Sequence, residues 1–149
     1  MTSKPICEYR TQRRIEFADT DLAGLVHFSR FFIFMETAEH EFLRSLGSEV
    51  HRQWQGHEIG WPRVEASCRY VAAARFADVL DIIVRVARKG TKSMTYDVRF
   101  ERDGQLIASG RIASVCCVLH GPGGPRSIEI PTDIGDQLVE YRRDDAATD

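Results

Sequence analysis

The sequence predicts an α+β domain in which one long apolar helix lies on one face of an antiparallel sheet. Two patterns carry that prediction. Phe31, Met35, Ala38, Phe42 and Leu46 recur at steps of three and four, with Phe34 and Leu43 widening the stripe. That is the spacing of an amphipathic helix. Further on, Met94, Tyr96, Val98 and Phe100 alternate with Thr95, Asp97, Arg99 and Glu101, the two-residue period of a strand with one wet face. Asp103-Gly104 then offers the residues of a tight hairpin turn, so the flanking strands pair consecutively.

The elements follow in order. Residues 9–17 read as a first strand, and a polar turn leads from it into a helix over 29–46. Ser29 suits the N-cap and Gly47 the position just past the end. Residues 48–60 are polar, with His51 and His57, and read as a loop or a short irregular helix. Pro62 precedes a strand over 63–70. Residues 79–88 are partly apolar on both faces, as a central strand is, and strands over 94–100 and 106–119 complete the sheet. Residues 121–125 form a glycine-proline breaker, and 128–141 hold a short helix begun near Pro131 and Thr132. Segments 1–8 and 142–149 read as flexible tails of a single domain over 1–149, without repeats or linker.

Composition narrows the function. A chain of 149 residues buries about two-thirds of its unfolded surface and needs no staples. Its net charge of −2 favours neither nucleic acid nor a polyanion as partner. No apolar run approaches the roughly 20 residues that span a bilayer, and the N-terminus lacks the apolar core of a signal peptide. A cytoplasmic location is the default expectation. Cys7, Cys68, Cys116 and Cys117 lack zinc-like spacing and read as free thiols, and the five histidines show no ligand spacing, so no metal is expected.

The turn between the first strand and the helix carries the chemistry. It brings two carboxylates, a glycine and a histidine within nine residues, Asp19 to His27. The helix beyond it delivers Asp21 and His27 near free backbone N–H groups and the positive end of the macrodipole. A carboxylate facing such an oxyanion site suits acyl transfer. Asp19 fits a structural turn or capping role, since Asp bonds its own backbone in such turns.

The run Glu16-Phe17-Ala18-Asp19-Thr20-Asp21-Leu22-Ala23-Gly24-Leu25-Val26 closely resembles the opening motif of the 4-hydroxybenzoyl-CoA thioesterase family of hotdog-fold proteins. That motif is a strand ending in an aromatic, then D-x-D-x-x-G, two apolar residues, two aromatic or histidine positions, and the central helix. Met35-Glu36, Gly60 with Pro62, Lys92-Ser93 and Ile130-Pro131 continue the resemblance in order, over about residues 9–135. Leu22 stands where several relatives have proline or alanine.

The resemblance implies a hotdog fold, a long central helix wrapped by a five- to six-stranded antiparallel sheet. It implies that Asp21 is the catalytic carboxylate and that the Phe28 backbone N–H polarises the thioester carbonyl. Gly24 falls where the chain passes the acyl group, and Val26 is counted with the substrate-binding residues. His27 is counted with the catalytic residues, at a position where some members have histidine and others an aromatic; it either lines the acyl pocket or is a hydrogen-bonded interface residue. Trp61 either floors the acyl pocket or packs at a subunit boundary. Arg88, Lys89, Lys92 and Ser93 either meet the CoA phosphates or form a solvated strand end. Glu36 is expected on an exposed or interfacial helix face. The family pattern further implies a homodimer or homotetramer with sites between subunits.

The implied activity is hydrolysis of an acyl-CoA thioester, with an aromatic or other bulky acyl group favoured. Asp21 acts as nucleophile or activates water. No cofactor is called for, because CoA belongs to the substrate. Alternatives are hydrolysis of an acyl group on a carrier protein, and a non-catalytic acyl-CoA-binding module, against which an intact Asp21 argues.

Overall fold

A computed structural model of the chain describes residues 3–144. Strand β1 covers Glu8–Arg14, followed by a 3-10 turn over Phe17–Asp19 and helix α1 over Arg30–Ser45. Then come β2 (Arg52–Trp54), β3 (His57–Gly60), β4 (Arg63–Tyr70), β5 (Val79–Lys89), β6 (Ser93–Arg102), β7 (Gln105–Val115), β8 (Cys117–Val118), β9 (Arg126–Ser127) and α2 (Thr132–Gly135). Five strands form an antiparallel sheet in the order β1-β5-β6-β7-β4, and four short ones a second sheet in the order β2-β3-β8-β9.

The apolar stripe of α1 explains its docking. Phe31, Phe34, Met35, Ala38, Phe42 and Leu43 are all buried against Leu80, Ile82, Val84, Val98, Phe100 and Ile112. Helix and sheet approach closely at Gly110, where an added Cβ would collide with the Met35 sulfur. The helix runs along β4 and β7. Phe31 touches Tyr70 and Phe100 at one end, and at the other Glu39 accepts from Arg63, which also donates to Ser114.

Several expectations need correction. Helix α1 has 16 residues, ~24 Å, short of the long central helix expected. It lies along one face of a sheet of five strands. Gly47, at φ +79°, ends it as expected. Strand β1 stops at Arg14 rather than at 17, because the Asp19 carboxylate accepts the Glu16 N–H at 2.9 Å and folds the chain into the 3-10 turn. The segment 48–60 is neither loop nor helix but holds the β2–β3 hairpin, turned at Gln55 (φ 49°) and Gly56 (φ 78°). The last long strand breaks at Cys116, whose N–H goes to Lys92 O at 2.8 Å, and Cys117 and Val118 pair in the second sheet instead.

The N-terminal segment expected as a tail over 1–8 is tied down from Ile6 onward. Ile6 N donates to Gln137 O at 2.9 Å, and Val139 N donates to Ile6 O at 3.0 Å. The expectations for 1–2 and 145–149 lie outside the described residues. The short helix after Pro131 forms as α2. No helix of the described residues is long and apolar enough to cross a membrane.

Candidate active site

The turn after β1 folds as a small closed loop. Thr20 bridges Val26, Asp21 N donates to Leu25 O at 2.7 Å, and Gly24 N donates back to Asp21 O at 3.0 Å. Gly24 sits at φ +78° with open space where a Cβ would project, so its backbone conformation is what asks for glycine. The loop docks on segment 71–78 through Val26 N to Ala74 O at 2.8 Å and a bridge between Leu25 and Arg75. Asp78 holds that segment, accepting from Arg75 N at 2.9 Å and Arg102 Nη1 at 2.7 Å. Burial pushes the Asp78 carboxyl up, but these two donors outweigh it and hold it below its usual value.

Two aspartates two residues apart have different surroundings. Asp19 is 2% exposed. Its carboxylate lies 2.9 Å from Glu16 N, 3.4 Å from Arg13 Nη2 and 3.7 Å from Arg30 Nε, and its carbonyl takes His27 N. It is the structural member, in keeping with its position in the turn. Asp21 is exposed. Ala23 N at 2.8 Å and Leu25 N at 3.1 Å both donate to its Oδ1, so two amides orient the carboxylate from one side.

The other half of the site is a donor. Among the described residues, the Phe28 N–H has no hydrogen-bond acceptor. The peptide that carries it is nonetheless held, because its carbonyl, His27 O, accepts from Arg30 N at 2.9 Å; Tyr70 Oη donates to Phe28 O in the next peptide at 2.8 Å, and the His27 ring stacks on the Phe28 ring at 4.5 Å. Ser29 departs from expectation. It occupies the N-cap position of α1 without a capping bond, and its Oγ lies 2.7 Å from His27 Nδ1. The helix N-terminus therefore keeps its positive end open toward the turn. An exposed carboxylate and an unmatched N–H on one turn can attack and polarise one carbonyl.

The chain resembles known proteins over most of its length. Residues 15–138 match the thioesterase-like superfamily. The chain belongs to that superfamily. It is 27% identical over 121 residues to a 1,4-dihydroxy-2-naphthoyl-CoA hydrolase of Thermosynechococcus vestitus, covering 80% of this chain and 81% of that one. It is 29% identical over 129 residues to the 4-hydroxybenzoyl-CoA thioesterase of Pseudomonas sp., covering 82% and 91%. The solved structure of that Pseudomonas enzyme superposes with a TM-score of 0.78 at 25% identity, over 89% of this chain and 100% of that one. A gentisyl-coenzyme A thioesterase gives 0.75 at 28% identity, over 88% and 100%. The fold is thus the hotdog thioesterase fold, and the chain is a thioester hydrolase.

For a thioesterase, the remaining candidates stand in an informative place. Strand register puts Arg63, Ser93, Lys89 and Val115 at one end of the sheet, and Tyr70, Ala108 and Phe100 at the other. Asp21, Gly24, Val26, His27 and Phe28 gather at the Tyr70 end. Trp61, Arg88, Lys89, Lys92 and Ser93 gather at the opposite end, roughly 23 Å away along β4. One chain does not bring the two groups together.

Trp61 packs between the main core and the small cluster of Ile59, Cys116 and Val118. The Lys89 ammonium already donates to Gly135 O and, at 3.0 Å, to Leu138 O. Sequence reasoning missed three residues. Tyr70 gave no signal, whereas Glu39, which pairs with the half-buried Arg63, is a buried carboxylate that helical spacing could have suggested, since position 39 lies on the same face as 35 and 42.

Proposed function

We propose that the protein hydrolyses acyl-CoA thioesters, with an aromatic or other bulky acyl group favoured. The observation that carries this reading is the pairing, on one rigid turn, of the exposed Asp21 carboxylate with the unmatched Phe28 N–H. The relatives named for dihydroxynaphthoyl-, hydroxybenzoyl- and gentisyl-CoA support the carrier and the acyl class.

In this reading the thioester carbonyl oxygen points at the Phe28 N–H. Negative charge that develops there on attack is met by that donor and by the N-terminus of α1, where one donor of this kind is worth about 3 kcal/mol of barrier. Asp21 stands on the other side of the carbon. As nucleophile it forms a mixed anhydride and expels CoA thiolate, and water then releases the acid. As general base it takes a proton from water, which attacks directly. His27 and Val26 flank the acyl group.

The reading places the site between two copies of the chain. Strand β4 is an unpaired edge, exposed along most of its length. Its antiparallel pairing with a second copy sets the Tyr70 end of one protomer beside the Trp61 end of the other. Asp21 and Phe28 of one protomer then share a site with Trp61, Arg88, Lys92 and Ser93 of its partner. Exposed Phe28, Val64, Val71 and Leu22 give such pairing apolar surface to cover.

A panel of acyl-CoA esters, with released thiol read by a disulfide reagent, tests the proposal. Thiol release, fastest with arylacyl esters, is expected, together with a dimer or tetramer by light scattering. Binding without thiol release would make the protein an acyl-CoA-binding module, and a stable active monomer would refute the shared site.

A further inference from the structure

The turn of chain before Arg30 is already helical. Ser29 has φ −71° and ψ −21°, whereas an N-cap has non-helical angles. Arg30 N donates to His27 O at 2.9 Å and Phe32 N to Ser29 O at 3.2 Å. The residue whose carbonyl accepts the first bond of a helix is its N-cap, and an N-cap side chain takes the N–H two or three positions on. His27 meets both conditions, since its Nδ1 accepts the Ser29 N–H at 3.3 Å. Phe28 is then the first helical residue, whose N–H finds no partner within a helix.

The same contact fixes the imidazole. An amide can only donate, so Nδ1 is an acceptor, and the Ser29 hydroxyl, 2.7 Å from that nitrogen, donates to it as well. An accepting Nδ1 excludes the imidazolium and puts the one ring proton on Nε2. A neutral ring also suits the positive end of α1, where a cation would meet the macrodipole head-on. On its other side, His27 N donates to the carbonyl of the buried Asp19 at 2.8 Å. His27 is therefore tied by its amide to the turn that carries Asp21, and by its carbonyl and ring to the first turn of the helix.

We propose that His27 is the N-cap of α1 and a positioning residue for hydrolysis, which holds the Phe28 N–H in fixed relation to Asp21. This rests on the roles of Asp21 and Phe28 proposed above. By taking the Ser29 N–H, the ring leaves the Phe28 N–H as the first amide of the helix to meet the thioester oxygen. With Nδ1 occupied and Nε2 protonated, the ring has no free lone pair. It takes no proton from water, and that step stays with Asp21.

Two substitutions separate the cap from the ring. His27→Asn keeps an acceptor for the Ser29 N–H, since asparagine is a favoured N-cap, and loses the stack on Phe28. His27→Phe keeps an aromatic ring and loses the acceptor. At a temperature well below the melting of either variant, the Asn variant is expected to retain kcat within about threefold, and the Phe variant to lose about tenfold at constant KM. The Phe variant's loss should be equal on a CoA ester and on its N-acetylcysteamine counterpart, because the contact acts on the carbonyl end. Nitrogen NMR of the His27 imidazole should show the Nε2–H tautomer.

A Phe variant with normal kcat overturns the proposal. So does a parallel loss in both variants, which would make the imidazole itself touch the substrate. A ring protonated on Nδ1 at neutral pH overturns the cap. If the unaltered protein releases no thiol from any thioester, the hydrolase reading falls, and the tautomer still decides whether His27 caps the helix.

Discussion

At the end of the sheet where β1 runs out and α1 begins, Asp21 faces solvent and the Phe28 N–H has no acceptor among the described residues. At the other end, Arg63 has closed on Glu39 and Ser114, and Lys89 on the carbonyls around α2. Both ends are rich in charge. They differ in whether the charges have found partners within the chain. Groups held in place yet left unmatched are available to a substrate, whereas groups matched internally hold the fold.

The sharpest way to break this contrast is to exchange the two aspartates' fates. Asp21→Asn is expected to lower kcat about 10³-fold with the melting temperature unchanged. Asp19→Ala is expected to cost about 2 kcal/mol of stability, because it strips a buried acceptor from Glu16 and Arg13. Steady-state kinetics and thermal melts on both variants check the pair, and near-normal kcat in a folded Asp21→Asn variant would remove Asp21 from the chemistry.

The basic end divides in the same way. Replacing Arg88 and Lys92 together by Ala should raise KM about tenfold for a CoA ester with kcat little changed, since such contacts act on ground and transition states alike. An N-acetylcysteamine ester, which has no phosphates, should be unaffected. Lys89→Ala should instead lower the melting temperature by about 3–6 °C, because its ammonium holds Gly135 and Leu138. A KM effect from Lys89 alone would reverse that division.

A smaller effect is expected from Tyr70→Phe. It keeps the ring against Phe31 but releases the Phe28 carbonyl, and should lower kcat about 3–10-fold at constant KM. The smallest concerns Asp78, whose folded value lies below its usual 3.8. Its stabilisation is complete above the unfolded value and is lost as pH falls through the folded one. The gap in melting temperature between the unaltered protein and Asp78→Asn should therefore close in acid, and a gap that widens there would reverse the sign.

Much of this was readable from the residues. The stripe of α1 and the alternation of β6 state their own period, and Asp103-Gly104 makes its turn at φ 51° and 80°. Gln55-Gly56 makes nearly the same turn, at 49° and 78°. It stayed hidden because its strands are only three and four residues long and are largely polar. Nothing in the run from Ile112 to Leu119 marks the break at Cys116, since no glycine or proline interrupts it. The break follows from contacts to Lys92 and Ile128, which are remote in sequence. On the site side, a motif located the turn and its two carboxylates. The distance between the turn and the basic residues is a property of register, which no local pattern reveals.

The strand order has a consequence for how the chain reaches this state. Strands β5, β6 and β7 are neighbours in sequence and pair as a meander, whereas β1 reaches β5 across 77 residues, from Glu8 to Arg85. Closing local loops is fast and distant ones slow. During synthesis, the turn, the helix and β4 all emerge before the strands that cover them. The topology thus predicts that the turn from Asp19 to Phe28 is made first and organised last, after the meander offers it a surface. Pulsed hydrogen exchange should show amides of β5 to β7 protected ahead of those of β1. Until then the apolar stripe of α1 is bare, and a nascent chain stalled before residue 79 is a natural client for a chaperone.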